Sequence, residues 1–381
     1  MAKSSLKKED QKNVTPQSLL ESHLQANKSE HYNFVEEAQE YKVSTGSLKL
    51  DAAIGGGLGS GLQRFFGFTE GGKTSESLEV MRNFFITLPK TRGLLVKAEG
   101  RLSKEMQERS GIKFVWSAAE WISGTCFVLE TNNYELVLNI LRDLVTNNEE
   151  SIKYCFVLDS IDALILKSDM EKGLTEAGRV AGGPMLTKKF LQRMAISMNK
   201  LGHMCIMIGQ VSAKIEIDAH GPKDQRQISA TGGNAAQHFS NFMLQFEARY
   251  KGDMIMEDDK APFDPIKNRI LGHWAKVIIK KSANESSNQV IVYPIKYGRK
   301  GGSSIWVEKE IIQMLIMFDL VEKKASWISL KPTLLVELQS IDADVPEQLQ
   351  GEDRWADYLE ENKKICQHLF EKFKRILING S

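Results

Sequence analysis

The stretch Gly67-Phe-Thr-Glu-Gly-Gly-Lys-Thr74 fits the spacing G-x-x-x-x-G-K-[ST] and constrains this chain more than any other. Gly71 and Gly72 let the backbone curl without Cβ clashes, so successive amide N–H groups converge on one anion. Lys73 then reaches the outer phosphates as a point charge, and the Thr74 hydroxyl is placed for Mg²⁺. Gly67, Glu70 and Ser75 complete the expected phosphate-binding set. The flanks supply the context the motif demands. Leu62-Gln-Arg-Phe-Phe66 reads as a buried strand, and Leu78, Met81, Phe84 and Phe85 recur at helical spacing after the loop. A glycine-rich turn that matched by chance would lack both. Strand, loop and helix together predict a phosphate site.

A chain of 381 residues that is 42% hydrophobic can bury a full core, as one large domain with smaller appendages. Its net charge of +1 excludes nucleic-acid binding through bulk charge, so any such site must be local. Cys126, Cys155, Cys205 and Cys366 form no C-x-x-C motif, which points to free thiols in a reducing compartment. The opening MAKSSLKKEDQKN has no apolar leader core, and no run of about 18 apolar residues occurs. The expectation is a soluble, cytoplasmic protein with no membrane partner.

Along the chain, residues 1–14 have the polar, lysine-rich composition of disorder. Thr15-Pro16 opens a short helix with Leu19, Leu20 and Leu24 on one face. That is too little apolar surface for a domain, so the arm docks either on a neighbouring subunit or on its own core. Gly93-Leu-Leu-Val-Lys-Ala-Glu99 is an apolar strand ending in a carboxylate. Beside a phosphate loop such a Glu can polarise an attacking water, although position alone equally describes a solvated strand end. Tyr154-Cys-Phe-Val-Leu-Asp-Ser160 is an unbroken apolar run closing on Asp159, the pattern of a buried parallel strand that delivers a carboxylate to a Mg²⁺ shell. His203-Met-Cys-Ile-Met-Ile-Gly-Gln210 is a third such strand and ends in an amide.

Between them, residues 170–184 hold four glycines and no period, which marks a functional loop. A helix is expected from Met185 to Leu201. The loop after Gln210 carries Lys214, Lys223 and Arg226 among Ile215, Ile217 and Ile228. Exposed β-branched residues among basic ones suit wedges between bases, flanked by charge for the phosphates. Further on, the pattern predicts strands over Phe242–Glu247, Trp274–Lys281 and Gln289–Ile295, a helix from Ile311 to Leu320, Trp327 as a late anchor, and an apolar stripe from Leu359 to Leu377 on one packed end helix.

Ser44-Thr-Gly-Ser-Leu-Lys-Leu-Asp51, the phosphate loop, Ala98-Glu99, the Asp159 strand and Thr231-Gly-Gly-Asn-Ala235, in that order, resemble the core of the RecA-type recombinases. The resemblance implies an α/β fold with a RecA-like P-loop ATPase core and a mostly parallel twisted sheet over residues 44–330. A disordered tail and N-terminal oligomerisation arm (1–43) precede it, and a small C-terminal α-rich domain (331–381) follows. ATP and Mg²⁺ are the implied cofactors, with Thr74 and Asp159 on the metal. Lys73 and Glu99 are the implied catalytic residues, with Gln210 as a switch that senses the terminal phosphate. Lys280 and Lys281 would reach a neighbouring subunit's nucleotide, though an edge strand ending in lysines reads as well.

For DNA, the resemblance points to Arg179 and Lys188 around a first loop, where a solvated basic face would also explain the lysines. The second loop would use Lys214, Ile215, Ile217, Lys223 and Arg226, and Gly232, Gly233 and Asn234 would hold a phosphate where a helix opens. Four departures mark a divergent branch, similar to phage recombinases of the UvsX kind. Lys97 replaces an acid, Met106 an adenine-facing aromatic ring and Ser212 an arginine. The end carries no acidic tail, since from Glu352 six acids meet six bases. The implied function is ATP-dependent strand exchange by helical filaments that form on single-stranded DNA and pair it with homologous duplex. A ring-forming helicase motor shares such a core but would need a collar domain that about 45 preceding residues cannot build. A non-recombining ATP-binding scaffold or regulator would need no DNA loops.

Overall fold

A computed structural model describes residues 15–26, 41–100, 102–148, 150–172, 182–213, 228–230, 233–258, 261, 263–283 and 287–379. The order opens with α1 (Pro16–Ala26) and α2 (Leu48–Ala53). Strands and helices then follow in the order β1 (Gly61–Gly67), α3 (Lys73–Thr87), β2 (Thr91–Lys97), α4 (Lys104–Ser110), β3 (Lys113–Val115), β4 (Thr125–Glu130), α5 (Tyr134–Thr146), β5 (Lys153–Asp159), α6 (Lys167–Met170), α7 (Gly182–Lys200) and β6 (Met204–Gly209). An antiparallel pair, β7 (Val211–Ala213) and β8 (Ile228–Ala230), leads to α8 (Gly233–Phe239), β9 (Ser240–Phe246), β10 (Met254–Met256), β11 (Ile270–Lys281) and β12 (Val290–Lys296). The last stretch holds α9 (Val307–Met317), β13 (Val321–Lys324), β14 (Trp327–Leu330), α10 (Pro332–Gln339), β15 (Gln348–Gln350), α11 (Gly351–Glu361) and α12 (Lys363–Asn379).

Among the described residues the main sheet has ten strands, in the order β10-β11-β9-β1-β6-β5-β2-β4-β3, with β12 also on β11. From β9 to β3 every pairing is parallel, while β11 pairs antiparallel with β9, β10 and β12. The apolar runs explain the central strands, because a parallel strand covered on both faces must be apolar at successive positions. Leu62, Leu94, Val96, Leu158 and Met207 pack with α5 and α7 on one face. Their neighbours Phe65, Leu95, Val157 and Ile206 pack with Leu78, Met81 and Phe84 of α3 on the other. Truncating any one of these to alanine should cost about 2–5 kcal/mol. The described cysteines are all buried free thiols, and no described helix is long and apolar enough to cross a membrane.

The Ser44–Asp51 segment is a knot of buried hydrogen bonds. The Asp51 carboxylate accepts from the Ser44 and Thr45 hydroxyls and from the Thr45 amide at 2.8 Å. Burial pushes it up to about 6 in spite of these donors. Glu310 of α9 accepts from the Ser47 hydroxyl at 2.6 Å and the Leu48 amide at 3.0 Å, which ties the entry of the core to its far end.

A third core gathers α9–α12 and a small sheet in the order β13-β14-β15, so this layer draws on residues from both sides of position 330. Two expectations need correction here. Trp327 is 44% exposed and is not part of this core, whereas Trp355 is buried and donates its indole N–H to the Ile328 carbonyl at 3.1 Å. The apolar stripe also lies on two helices, because at Asn362 (φ −104°, ψ 69°) the backbone leaves the helical region between α11 and α12. At the seam with the main sheet, Glu360 pairs with Lys296 at 2.5 Å and with Arg299 at 3.0 Å, and Arg299 also pairs with the buried Glu308.

Candidate functional site

β1 ends on Gly67, whose φ of +144° suits glycine and whose Cβ position lies 2.1 Å from the Phe246 carbonyl. No side chain fits there, so β9 closes directly on the loop. Gly72, at φ +99°, caps α3, which begins at Lys73. Lys73 and Thr74 therefore occupy the first turn, where backbone N–H groups have no intrahelical partner and the dipole favours an anion. The Lys73 ammonium folds back on its own loop and donates to the carbonyls of Gly67 at 3.0 Å and Phe68 at 2.6 Å. Burial pushes Lys73 down, opposed by the charges of Asp159, Glu99 and Asp162, which places these three carboxylates within its electrostatic reach. Glu70 lies on the exposed rim, 3.4 Å from Arg249.

β1, β6, β5 and β2 are adjacent and parallel, so their carboxyl ends share one edge, the ligand-binding edge of an open α/β sheet. Asp159 at the end of β5 accepts from the Thr74 hydroxyl at 3.0 Å and from the Lys97 ammonium at 2.7 Å, both on Oδ2. Glu99, two residues past β2, accepts a hydrogen bond from the Ser160 hydroxyl. Gln210, just past β6, donates its backbone N–H to Asp162 Oδ2 at 2.6 Å. Lys73, Thr74, Glu99, Asp159 and Gln210 are thus brought together, although they span 138 positions of the chain (210 − 73 + 1).

Thr74 and Asp159 offer hard oxygens, the donors that Mg²⁺ takes. Among the described residues no group of three or more His, Cys, Asp or Glu could hold a metal by itself. The pair therefore fits a Mg²⁺ that completes its shell with water and substrate phosphates, as this ion does in phosphoryl-transfer sites.

Beside the phosphate loop lies a cavity of about 470 Å³, lined in part by Gly71, Ser75 and Met106. Arg109, Arg249, His273 and Tyr297 share its wall, and the sequence reading missed all four. They come from α4, β11 and the segments after β9 and β12, and carry no motif; only the fold gathers them. Arg109 donates to the Ser75 hydroxyl at 3.2 Å, and Arg249 to the Tyr297 hydroxyl at 3.1 Å. His273 lies 5.4 Å from the Tyr297 ring and is pushed down to about 4, chiefly by burial and also by the Arg249 charge, so the ring is neutral at pH 7. At the inner end the Tyr293 hydroxyl donates to Glu76 at 2.9 Å, and burial drives Glu76 well above the usual carboxylate range.

The remaining expected residues lie elsewhere. Lys281 donates to the carbonyls of Gln237 and His238 at 3.0 and 2.8 Å and so caps α8 of its own chain, while Lys280 is exposed. Lys188 is exposed on the first half of α7. Gly233 and Asn234 open α8. Arg179, Lys214, Ile215, Ile217, Lys223, Arg226 and Gly232 lie outside the described residues.

Residues 33–283 match the RecA N-terminal domain family. The chain is 28% identical over 297 residues to protein RecA of Cytophaga hutchinsonii, covering 77% of this chain and 73% of that one. It is 25% identical over 337 residues to protein RecA of Rickettsia bellii, covering 87% and 83%. Against protein RecA of Porphyromonas gingivalis the figures are 23% over 341 residues, 88% and 85%.

Proposed function

The chain belongs to the RecA family, and on that premise we propose that it is an ATP-driven recombinase that forms filaments on single-stranded DNA and pairs it with homologous duplex. The observation that carries this reading is the hydrogen bond from the Gln210 backbone N–H to Asp162, three residues past Asp159. It joins the strand end that would sense the terminal phosphate to the turn that follows the metal-binding carboxylate. Gln210 also opens the segment 211–230, whose basic and β-branched residues suit DNA.

In this reading Lys73 leaves the carbonyls of Gly67 and Phe68 for the outer phosphates and stabilises the charge that develops on the transferred group. Glu99, oriented by Ser160, takes a proton from the attacking water. When bound, Mg²⁺ on Thr74 and Asp159 neutralises charge on the phosphates. Met106 and Tyr297 offer a thioether and a ring to the base. Gln210 then biases the DNA-binding segment according to the nucleotide state, a coupling that must act in both directions.

Electron microscopy of the full chain with single-stranded DNA and a non-hydrolysable ATP analogue tests this. Helical filaments are expected from the wild type, together with DNA-stimulated hydrolysis that Lys73→Ala abolishes. Closed rings would favour a helicase-type motor, and nucleotide binding with no DNA-dependent assembly would favour a scaffold.

A further inference from the structure

Lys97 takes no part in the chemistry above, yet it lies against the carboxylate that would hold the metal. It stands opposite Asp159 in the parallel register of β2 and β5. Its Nζ lies 2.7 Å from Asp159 Oδ2, and only 10% and 8% of the two side chains are exposed. The same oxygen accepts the Thr74 hydroxyl. Lys73 hydrogen-bonds to backbone carbonyls and acts on this carboxylate only at a distance, so the direct ion pair is the strand lysine's. Asp159 and Lys97 together carry no net charge. A dication approaching Thr74 and Asp159 meets a compensated carboxylate whose inner oxygen already takes two donors, and Coulomb attraction between ions a few ångströms apart is strong enough for this to matter.

We propose that Lys97 is a built-in counter-cation of the nucleotide site. It weakens the site's own hold on a divalent ion, and it supplies part of the positive charge that nucleoside phosphates would otherwise draw from that ion. Di- and triphosphates should then bind with little dependence on Mg²⁺. The inference rests on the phosphate loop being a nucleotide site, and its test separates the two. If Lys97 served only to satisfy a buried carboxylate, its replacement would change stability and leave the metal dependence of binding alone.

The experiment measures the affinity of a fluorescent ADP for the full chain in excess EDTA and in millimolar Mg²⁺, with wild type, Lys97→Met and Lys97→Asp. Mn²⁺ binding without nucleotide is followed in parallel by electron paramagnetic resonance. Removing Mg²⁺ should cost the wild type less than roughly tenfold and Lys97→Asp roughly 100-fold, with Lys97→Met between them. Mn²⁺ should bind Lys97→Asp more tightly than wild type. A wild-type loss above tenfold overturns the proposal even if neither variant folds, and so does an equal loss in wild type and Lys97→Asp. A wild type that binds no fluorescent ADP in either buffer overturns the nucleotide reading on which the proposal stands.

Discussion

The Glu99 carboxylate is oriented through one oxygen by the Ser160 hydroxyl, so a change of charge without a change of shape isolates its chemistry. Glu99→Gln should keep nucleotide binding and lower hydrolysis roughly 100-fold or more. Loss of nucleotide binding as well would make the residue structural. His203 is a second residue that decides something its position in the sequence does not announce. Its Nδ1 accepts the Tyr154 amide at 3.1 Å, and burial, helped by the charge of Lys153, pushes it down to about 4. A folded value below the unfolded one means that the unfolded chain takes up the proton first. The stability from neutral His203 is therefore complete above about 6.5 and drains away as pH falls towards 4. Urea melts should show the advantage of wild type over His203→Gln shrinking by about 2 kcal/mol between pH 7.5 and pH 5. An advantage independent of pH would show that the ring is not kept neutral.

Between elements, the contact with most consequence is the one by which Asp162, in the turn after β5, holds the amide at the end of β6. Asp162 is exposed, so removing its carboxylate should leave the cores intact. Asp162→Ala should reduce DNA-stimulated hydrolysis towards the unstimulated rate while nucleotide binding persists, read from phosphate release with and without single-stranded DNA. Unchanged stimulation would mean that the two strand ends are not coupled through this bond. In the last layer Trp355 plays the opposite part, filling the third core and bonding to β14. Trp355→Ala should cost about 3–5 kcal/mol. Hydrogen exchange should locate that loss in α9–α12 and spare β1, β5 and β6, since no buried residue belongs to both their cores and the third, which meets the first only through the half-buried Val307.

For the whole molecule the open question is assembly. Helix α1 keeps Leu19 51% and Leu20 59% exposed, and a helix of 11 residues has little stability without a packing partner. Under the proposed filament, a neighbouring subunit covers this face. The double substitution Leu19→Glu with Leu20→Glu should then abolish DNA-dependent filaments in sedimentation and microscopy while monomers still bind nucleotide. Filaments of normal length would move the subunit contact elsewhere on the surface.

The phosphate loop, the buried strands and their terminal Glu99, Asp159 and Gln210 were legible in the sequence. Each is a local pattern with a physical cause: glycines where the backbone must bend, apolar runs where both faces of a strand are covered, and a polar residue where the strand leaves the core. The helix expected from Met185 to Leu201 was legible too, to within a few residues at its ends. Strand order was not, because pairing depends on which crossovers pack; only the fold sets β5 and β6 between β2 and β1. The same holds for the break at Asn362, which leaves the periodicity of the apolar stripe intact. The cavity wall of Arg109, Arg249, His273 and Tyr297 could not be foreseen either, since four elements distant in the chain supply it. Lys97 draws the line most sharply. In the sequence it is a charged residue in an apolar strand, standing where the resembled family has an acid. That its ammonium lies against Asp159, the carboxylate of the proposed metal site, follows from the parallel register of two strands, which is a property of tertiary structure alone.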